Sequence, residues 1–298
     1  MPKEKVREYN SRIVSLMSLY LNLTPTAITM DALYEMMNAC GMTKERAFAE
    51  LLAAYADIDT AGADKAFFRN YIIPMVRCLD AEKFRCDPYY KNIKLPHASR
   101  GKWELTKMRF APCEAFVCDE FTLTENGELI PQIGFFTEEF EYPAIKEGGR
   151  EWMTLMPNET TTTLPSVERA FGNVLTYGLG LGYFAYMCSE KENVSSVTVV
   201  EISKDAASLF SDYILPQFPH AEKVQIIVDD AFEYAERETK SSDYDFIFAD
   251  IWHDVGDGIE MYQKFKSLER KKPTAEYAYW LEKSISYYLD KNLWMSVR

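Results

Sequence analysis

The chain has 298 residues, of which 47% are hydrophobic and 27% charged, a composition that suits a soluble globular protein with one large core or two smaller ones. Its 33 basic residues against 46 acidic ones give a formal charge of −13, which argues against general affinity for nucleic acid or an anionic membrane. The six cysteines form no Cys-x-x-Cys pair and have no histidine cluster beside them, so they read as reduced thiols of a cytoplasmic protein rather than zinc ligands. The charged start, Met1-Pro-Lys-Glu-Lys-Val-Arg-Glu8, has no signal core behind it, and no apolar run is long enough for a bilayer span.

Residues 1–85 read as a helical N-terminal domain. Val6, Ile13, Leu16, Met17 and Tyr20 recur at helical spacing. Thr29 and Thr43 are N-cap candidates, and Gly41 is placed to end a helix over Met30–Cys40. A further helix is expected over Ala63–Leu79, bent or broken at Pro74. The helices around Gly41 suggest a helix-turn-helix, but the local charge is balanced, so a cap or dimerisation element is the plainer reading. Residues 86–163 read as a small β-rich module and linker. Short β-like runs lie at Ala115–Cys118, Ile130–Phe136 and Trp152–Met156, with a hairpin signal at Asn126-Gly127.

Residues 164–298 read as an α/β domain with a helical C-terminus, a Rossmann-like doubly wound, mainly parallel sheet. A helix over Pro165–Phe171 precedes strands at Val174–Tyr177, Ser196–Glu201, Val224–Val228 and Asp245–Asp250. Helices are expected at Lys204–Tyr213 and Ala231–Thr239, then at Ile259–Leu268 and Thr274–Leu289, which leaves the sheet short or completed by strands of the β-rich module. In such a sheet a ligand lies at the carboxyl ends of the strands.

The candidate residues cluster at those ends. The first strand runs into Gly178-Leu-Gly180-Leu-Gly182, a turn that brings backbone close to a bound group at a helix N-terminus. Glu201 ends the second strand, 23 positions after Gly178 (201 − 178), near the roughly 20-residue spacing of a ribose-binding acid. Asp229-Asp230-Ala231 follows the third strand; Asp229 suits a turn or cap, and Asp230 an adenine edge. Asp250 ends the fourth, before Trp252-His253-Asp254. His253 is either a general base or a plain loop histidine, Asp254 either orients it or caps the next helix, and Trp252 is either core packing or a pocket wall. One histidine and scattered acids do not make a metal-ligand set.

From about residue 150 to 265 the chain resembles the class I S-adenosylmethionine-dependent methyltransferases, in particular their spermidine-synthase-like branch. The resemblance rests on the Gly-x-Gly-x-Gly turn, Glu201, Asp230-Ala231 and Asp250 in that order. It implies S-adenosyl-L-methionine as cofactor and a small or medium-sized acceptor, without nucleic acid or membrane. Tyr177, Gly178, Gly180, Gly182, Glu201, Ile202, Asp230, Ala231 and Asp250 would contact the cofactor. Asp250, His253 and Asp254 would be catalytic, and Asn158, Glu159 and Trp252 would face the acceptor. Asn158 and Glu159 belong to Pro157-Asn-Glu-Thr160, expected as a loop over the glycine turn. An acid many methyltransferases carry two positions before the first glycine is Thr176 here, and the acid aminopropyltransferases carry within the turn is Leu181. Asp250 and Asp254 stand four apart (254 − 250) with no proline following, unlike the aminopropyltransferase pattern. Methyl transfer is the leading expectation. An aminopropyltransferase using the decarboxylated cofactor, with Asp250 and Asp254 as its amine-binding and base pair, and a non-catalytic cofactor-binding protein are the alternatives. A homodimer through the N-terminal helices and C-terminal half is a further expectation.

Overall fold

The computed structural model describes residues 2–238, 243–269 and 274–291 and divides into two compact units. The first unit comprises Met1–Phe84 and Arg109–Glu141, the second Arg85–Met108 and Tyr142–Arg298. Residues 86–163 are therefore split between the units instead of forming one module.

In the first unit, helices Lys3–Leu23, Met30–Cys40 and Lys44–Tyr55 enclose a core that includes Ile13, Phe48, Phe67 and Tyr71. The hydroxyls of Thr29 and Thr43 accept from the N–H groups of Ala32 and Arg46, and so cap the second and third helices. The expected helix over 63–79 departs from regularity. A helical run over 65–75 widens to a π-turn at Phe68–Ile72, and the chain is extended by Val76, two residues beyond Pro74. Val76–Cys78 pairs parallel with Leu129–Phe135, which also pairs antiparallel with Phe116–Leu123.

The second unit carries the α/β layer. In chain order it runs helix α1 (Pro157–Arg169), β1 (Gly172–Tyr177), α2 (Tyr183–Ser189), β2 (Val194–Glu201), α3 (Lys204–Leu209), β3 (Val224–Val228), α4 (Ala231–Glu238), β4 (Phe246–Ala249), α5 (Val255–Glu269), β5 (Glu276–Tyr279) and α6 (Glu282–Lys291). The five strands are all parallel, in the order β3-β2-β1-β4-β5. The strand order reverses between β1 and β4, so the crevice above their carboxyl ends is where this topology places a ligand. Val174, Leu175, Val197, Val199, Phe246 and Phe248 are fully buried, as strands covered on both faces require.

Two expectations about this unit are corrected. Residues 274–289 do not form one helix: Glu276–Tyr279 is the fifth parallel strand, beside β4, and only then does α6 begin. Tyr277 and Tyr279 alternate with smaller neighbours, a two-residue period that suits a strand. The β-rich segments do not complete the parallel sheet, since they lie in separate three- and four-stranded sheets. The second correction concerns Pro157-Asn-Glu-Thr160, which is the first turn of α1 and not a loop. Pro157 opens that helix and Glu159 lies in its first turn, both favoured there by fixed φ and by the helix dipole. Among the described residues, no helix is long and apolar enough to cross a membrane.

Candidate functional site

A cavity of about 470 Å³ opens at the carboxyl ends of β1, β2 and β4. A second cavity of about 540 Å³ lies along α5 against Tyr262, Lys266 and Glu269. Among the described residues its lining lysine, Lys266, is already paired with Glu269 and Glu282. The cavity over the sheet is the one that gathers the candidate residues.

The turn after β1 is shaped by close approaches. Gly178 has φ +94°, and a Cβ there would lie 1.9 Å from the backbone oxygen of Asp250. Gly178 and Gly180 line the cavity. Gly182 does not: it has φ +77°, and a Cβ would lie 2.2 Å from Phe210. That glycine therefore serves the packing of α2 against Phe210. The turn is braced from below by Tyr89, whose hydroxyl donates to the Leu181 carbonyl at 2.5 Å. Tyr183 opens α2 and donates to Asp87 at 2.9 Å. Tyr177 points into the core against Phe265 and Tyr234, so its side chain is not at the cavity.

Glu201 stands over the turn. One carboxylate oxygen accepts from the Leu179 N–H at 3.3 Å, and the other from the Ser203 N–H at 2.7 Å. Burial raises its pKa, and those N–H groups work against the rise. The next residue, Ile202, is 69% exposed and lines the same cavity, a large apolar side chain left mostly uncovered by the protein. Asp230 and Ala231 line the cavity from the start of α4. Asp230 uses Oδ1 to cap α4, accepting from the Phe232 and Glu233 N–H groups at 2.9 Å each, which leaves Oδ2 for a ligand. Asp229 is ion-paired with Arg237 away from the cavity.

The third wall is acidic. Asp250 follows β4, and its backbone N–H is fixed to the Tyr177 carbonyl at 2.9 Å. Burial pushes its carboxyl up to about 7. Glu159 lies in the same cavity and is held well above the usual carboxylate range, first by burial and second by the charge of Asp250. Glu151 also lines the cavity, whereas no lysine or arginine among the described residues does. Asn158, one residue before Glu159, does not line the cavity, and its buried Oδ1 has no partner among the described residues.

The loop after β4 separates the roles expected of its residues. Asp254 is the cap: its Oδ1 accepts from the Gly256 and Asp257 N–H groups, and it does not line the cavity. His253 lines the cavity and is oriented by Asp257 instead, whose Oδ2 is 3.1 Å from Nδ1 and whose Oδ1 accepts the His253 N–H. The imidazole meets the edge of Trp152 at a centroid distance of 4.5 Å. Asp257 was not singled out in the sequence; its position four after His253 at a helix start was the available signal. Trp252 lines the cavity at 5% exposure, and its indole N–H has no partner among the described residues.

Sequence reasoning also missed Met153, Thr163 and Trp280. The Met153 side chain lies 3.1 Å from where a Cβ on Gly180 would stand. Thr163 follows Glu159 by one helical turn and so shares its face. Trp280, just after β5, donates its indole N–H to Thr162 at 2.8 Å and closes the far side. None of the described residues form a cluster able to hold a metal ion.

No known family model matches this chain, and no curated protein does. Among solved structures it aligns with "A putative sam-dependent methyltransferase from Streptococcus mutans" at 16% identity and a TM-score of 0.33. That alignment covers 43% of this chain and 36% of the other, so the chain spans about a third of the protein it matches. The functional reading therefore rests on the cavity itself.

Proposed function

We propose that this chain binds S-adenosylmethionine over the glycine turn and is a methyltransferase for a small or medium-sized acceptor. The observation that carries the reading is the pairing of Glu201 with Ile202. The carboxylate of Glu201 is anchored by two backbone N–H groups, with lone pairs left for a vicinal diol. Ile202 offers the exposed apolar surface that one face of a purine needs, and Ala231 and the free Oδ2 of Asp230 line the same cavity. A carboxylate for ribose, an apolar wall and a polar edge for adenine fit an adenosyl group, and the volume of about 470 Å³ leaves room beyond it.

The bound cofactor supplies a methyl group already activated on a sulfonium. The residues then have to position, desolvate and remove a proton. Met153, Trp252 and Trp280 line the cavity and limit the entry of water. His253, its Nδ1 held by Asp257, keeps Nε2 free to accept a proton from an acceptor. Asp250, pushed up to about 7, is a second group able to exchange a proton near neutrality.

An aminopropyltransferase would use the decarboxylated cofactor, and a non-catalytic protein would bind without turnover. The amine-binding pair expected of the first, Asp250 with Asp254, gains no support from a cavity that Asp254 does not line. Calorimetry on the wild type with both cofactors, followed by a turnover assay against amine, hydroxyl and carboxylate acceptors, tests the proposal. It expects tighter binding of S-adenosylmethionine and transfer of its methyl group. Preference for the decarboxylated compound, or binding without any turnover, overturns it.

A further inference from the structure

Trp152 is a large aromatic side chain left 40% exposed, and it lines the cavity at the carboxyl ends of the parallel strands. The local backbone puts it there. Strand Arg150–Thr154 pairs antiparallel with residues 144–147, with Ile145 opposite Met153 and Lys146 opposite Glu151. Trp152 is therefore the extra residue of a β-bulge, the device that re-aims a side chain out of strict alternation. Glu151, Trp152 and Met153 accordingly all line one cavity, whereas successive side chains of a regular strand point to opposite faces. The indole is fixed by two rings set nearly at right angles to it. Buried Trp103 lies at a centroid distance of 5.4 Å and an angle of 82°, and His253 at 4.5 Å and 84°. The exposed part of the indole is thus a rigid, flat apolar surface beside the imidazole.

We propose that this surface selects the acceptor, and that the acceptor is a planar aromatic molecule bearing a hydroxyl group, held against Trp152. An indole already immobilised by its neighbours favours a flat ring, because aromatic pairs gain more than their buried area alone provides. The charge of the lining disfavours an anionic acceptor. Glu151, Glu159 and Asp250 line the cavity and no lysine or arginine among the described residues does, so a carboxylate or phosphate would be repelled. The wall also carries an unanswered donor, the buried indole N–H of Trp252, which has no partner among the described residues. An uncharged oxygen on the acceptor can accept from it, and an ammonium cannot. The inference rests on the methyltransferase reading for the fate of the hydroxyl. Its proton passes to Nε2 of His253, its oxygen takes the methyl group, and the electron pair of the broken methyl–sulfur bond stays on sulfur. The products are an aryl methyl ether, S-adenosylhomocysteine and a protonated imidazole.

Titration calorimetry on the full chain at neutral pH, with and without S-adenosylhomocysteine, reads this selection without turnover. The probes are 2-naphthol, its saturated analogue decahydro-2-naphthol, and the charged analogues 2-naphthoate and 2-naphthylmethylamine. Methylthioadenosine reports separately on the nucleoside site. The proteins are the wild type, Trp152→Leu and Trp152→Phe, each checked for folding by circular dichroism. The wild type should bind 2-naphthol about fivefold or more tighter than each of the other three, the scale of an aromatic pair. Trp152→Leu should lose the preference over the saturated analogue, and Trp152→Phe should keep most of it. Equal affinity for 2-naphthol and decahydro-2-naphthol in the wild type, or a preference that survives Trp152→Leu, overturns the proposal. So does tighter binding of either charged analogue, or no binding of 2-naphthol at all. If the wild type selects 2-naphthol but binds no adenosyl compound, the cofactor reading falls and the aromatic subsite stands.

Discussion

Glu201 reaches the cavity because β2 ends there, and it stays in place because Leu179 and Ser203 each give it an N–H. Replacing it with alanine should cost about tenfold or more in affinity for an adenosyl ligand by calorimetry, with little change in melting temperature. Gly182 should behave in the opposite way. Gly182→Ala puts a Cβ against Phe210 at a positive φ, so it should destabilise the protein by about 2 kcal/mol or more in urea melts. Any affinity it loses should follow from that loss of folding. The placement of Glu201 and Asp250 could be read in the sequence because each stands at the end of an apolar strand. The different purposes of the three glycines could not, since what each Cβ would meet is set by residues as distant as Phe210 and Asp250.

At the scale of elements, four of the five strands were legible because parallel strands buried on both faces are continuous apolar runs. The fifth was not, because Glu276-Tyr-Ala-Tyr279 is short and gains its meaning only from the open edge of β4. The first turn of α1 was hidden for a related reason: Pro157 and the polar residues after it suit a loop and a helix start equally well. The start of α5 divides two acids that the sequence left interchangeable. Asp254→Ala should cost about 1 kcal/mol of stability through loss of the cap while sparing turnover. Asp257→Asn should lower turnover in a steady-state assay, because Asp257 alone of the two holds Nδ1 of His253 in place.

At the scale of the molecule, the two units should respond to pH in opposite directions. In the second unit Asp87, Glu159, Glu201 and Asp250 are all raised by burial, so the native state holds protons that the unfolded chain has released. Their contribution is fully present below the ordinary carboxylate range and is lost as pH rises through about 7, the value for Asp250. In the first unit the Arg12 guanidinium lowers Asp64, so that contribution is lost as pH falls below the carboxylate range. Melts of the ligand-free protein should therefore show the α/β unit more stable at pH 5.5 than at pH 8. Asp250→Asn should reduce the difference and raise stability at pH 8 by about one to a few kcal/mol. Equal stability at the two pH values would show that the carboxyls are not withdrawn from water.

The central claim is that this cavity holds an adenosyl group against Glu201 and Ile202. The most direct measurement is a crystal structure of the chain with S-adenosylhomocysteine. The account predicts ribose hydroxyls within hydrogen-bond distance of the Glu201 carboxylate, with the purine between Ile202 and Ala231. A ligand bound elsewhere, or ribose turned away from Glu201, would contradict it.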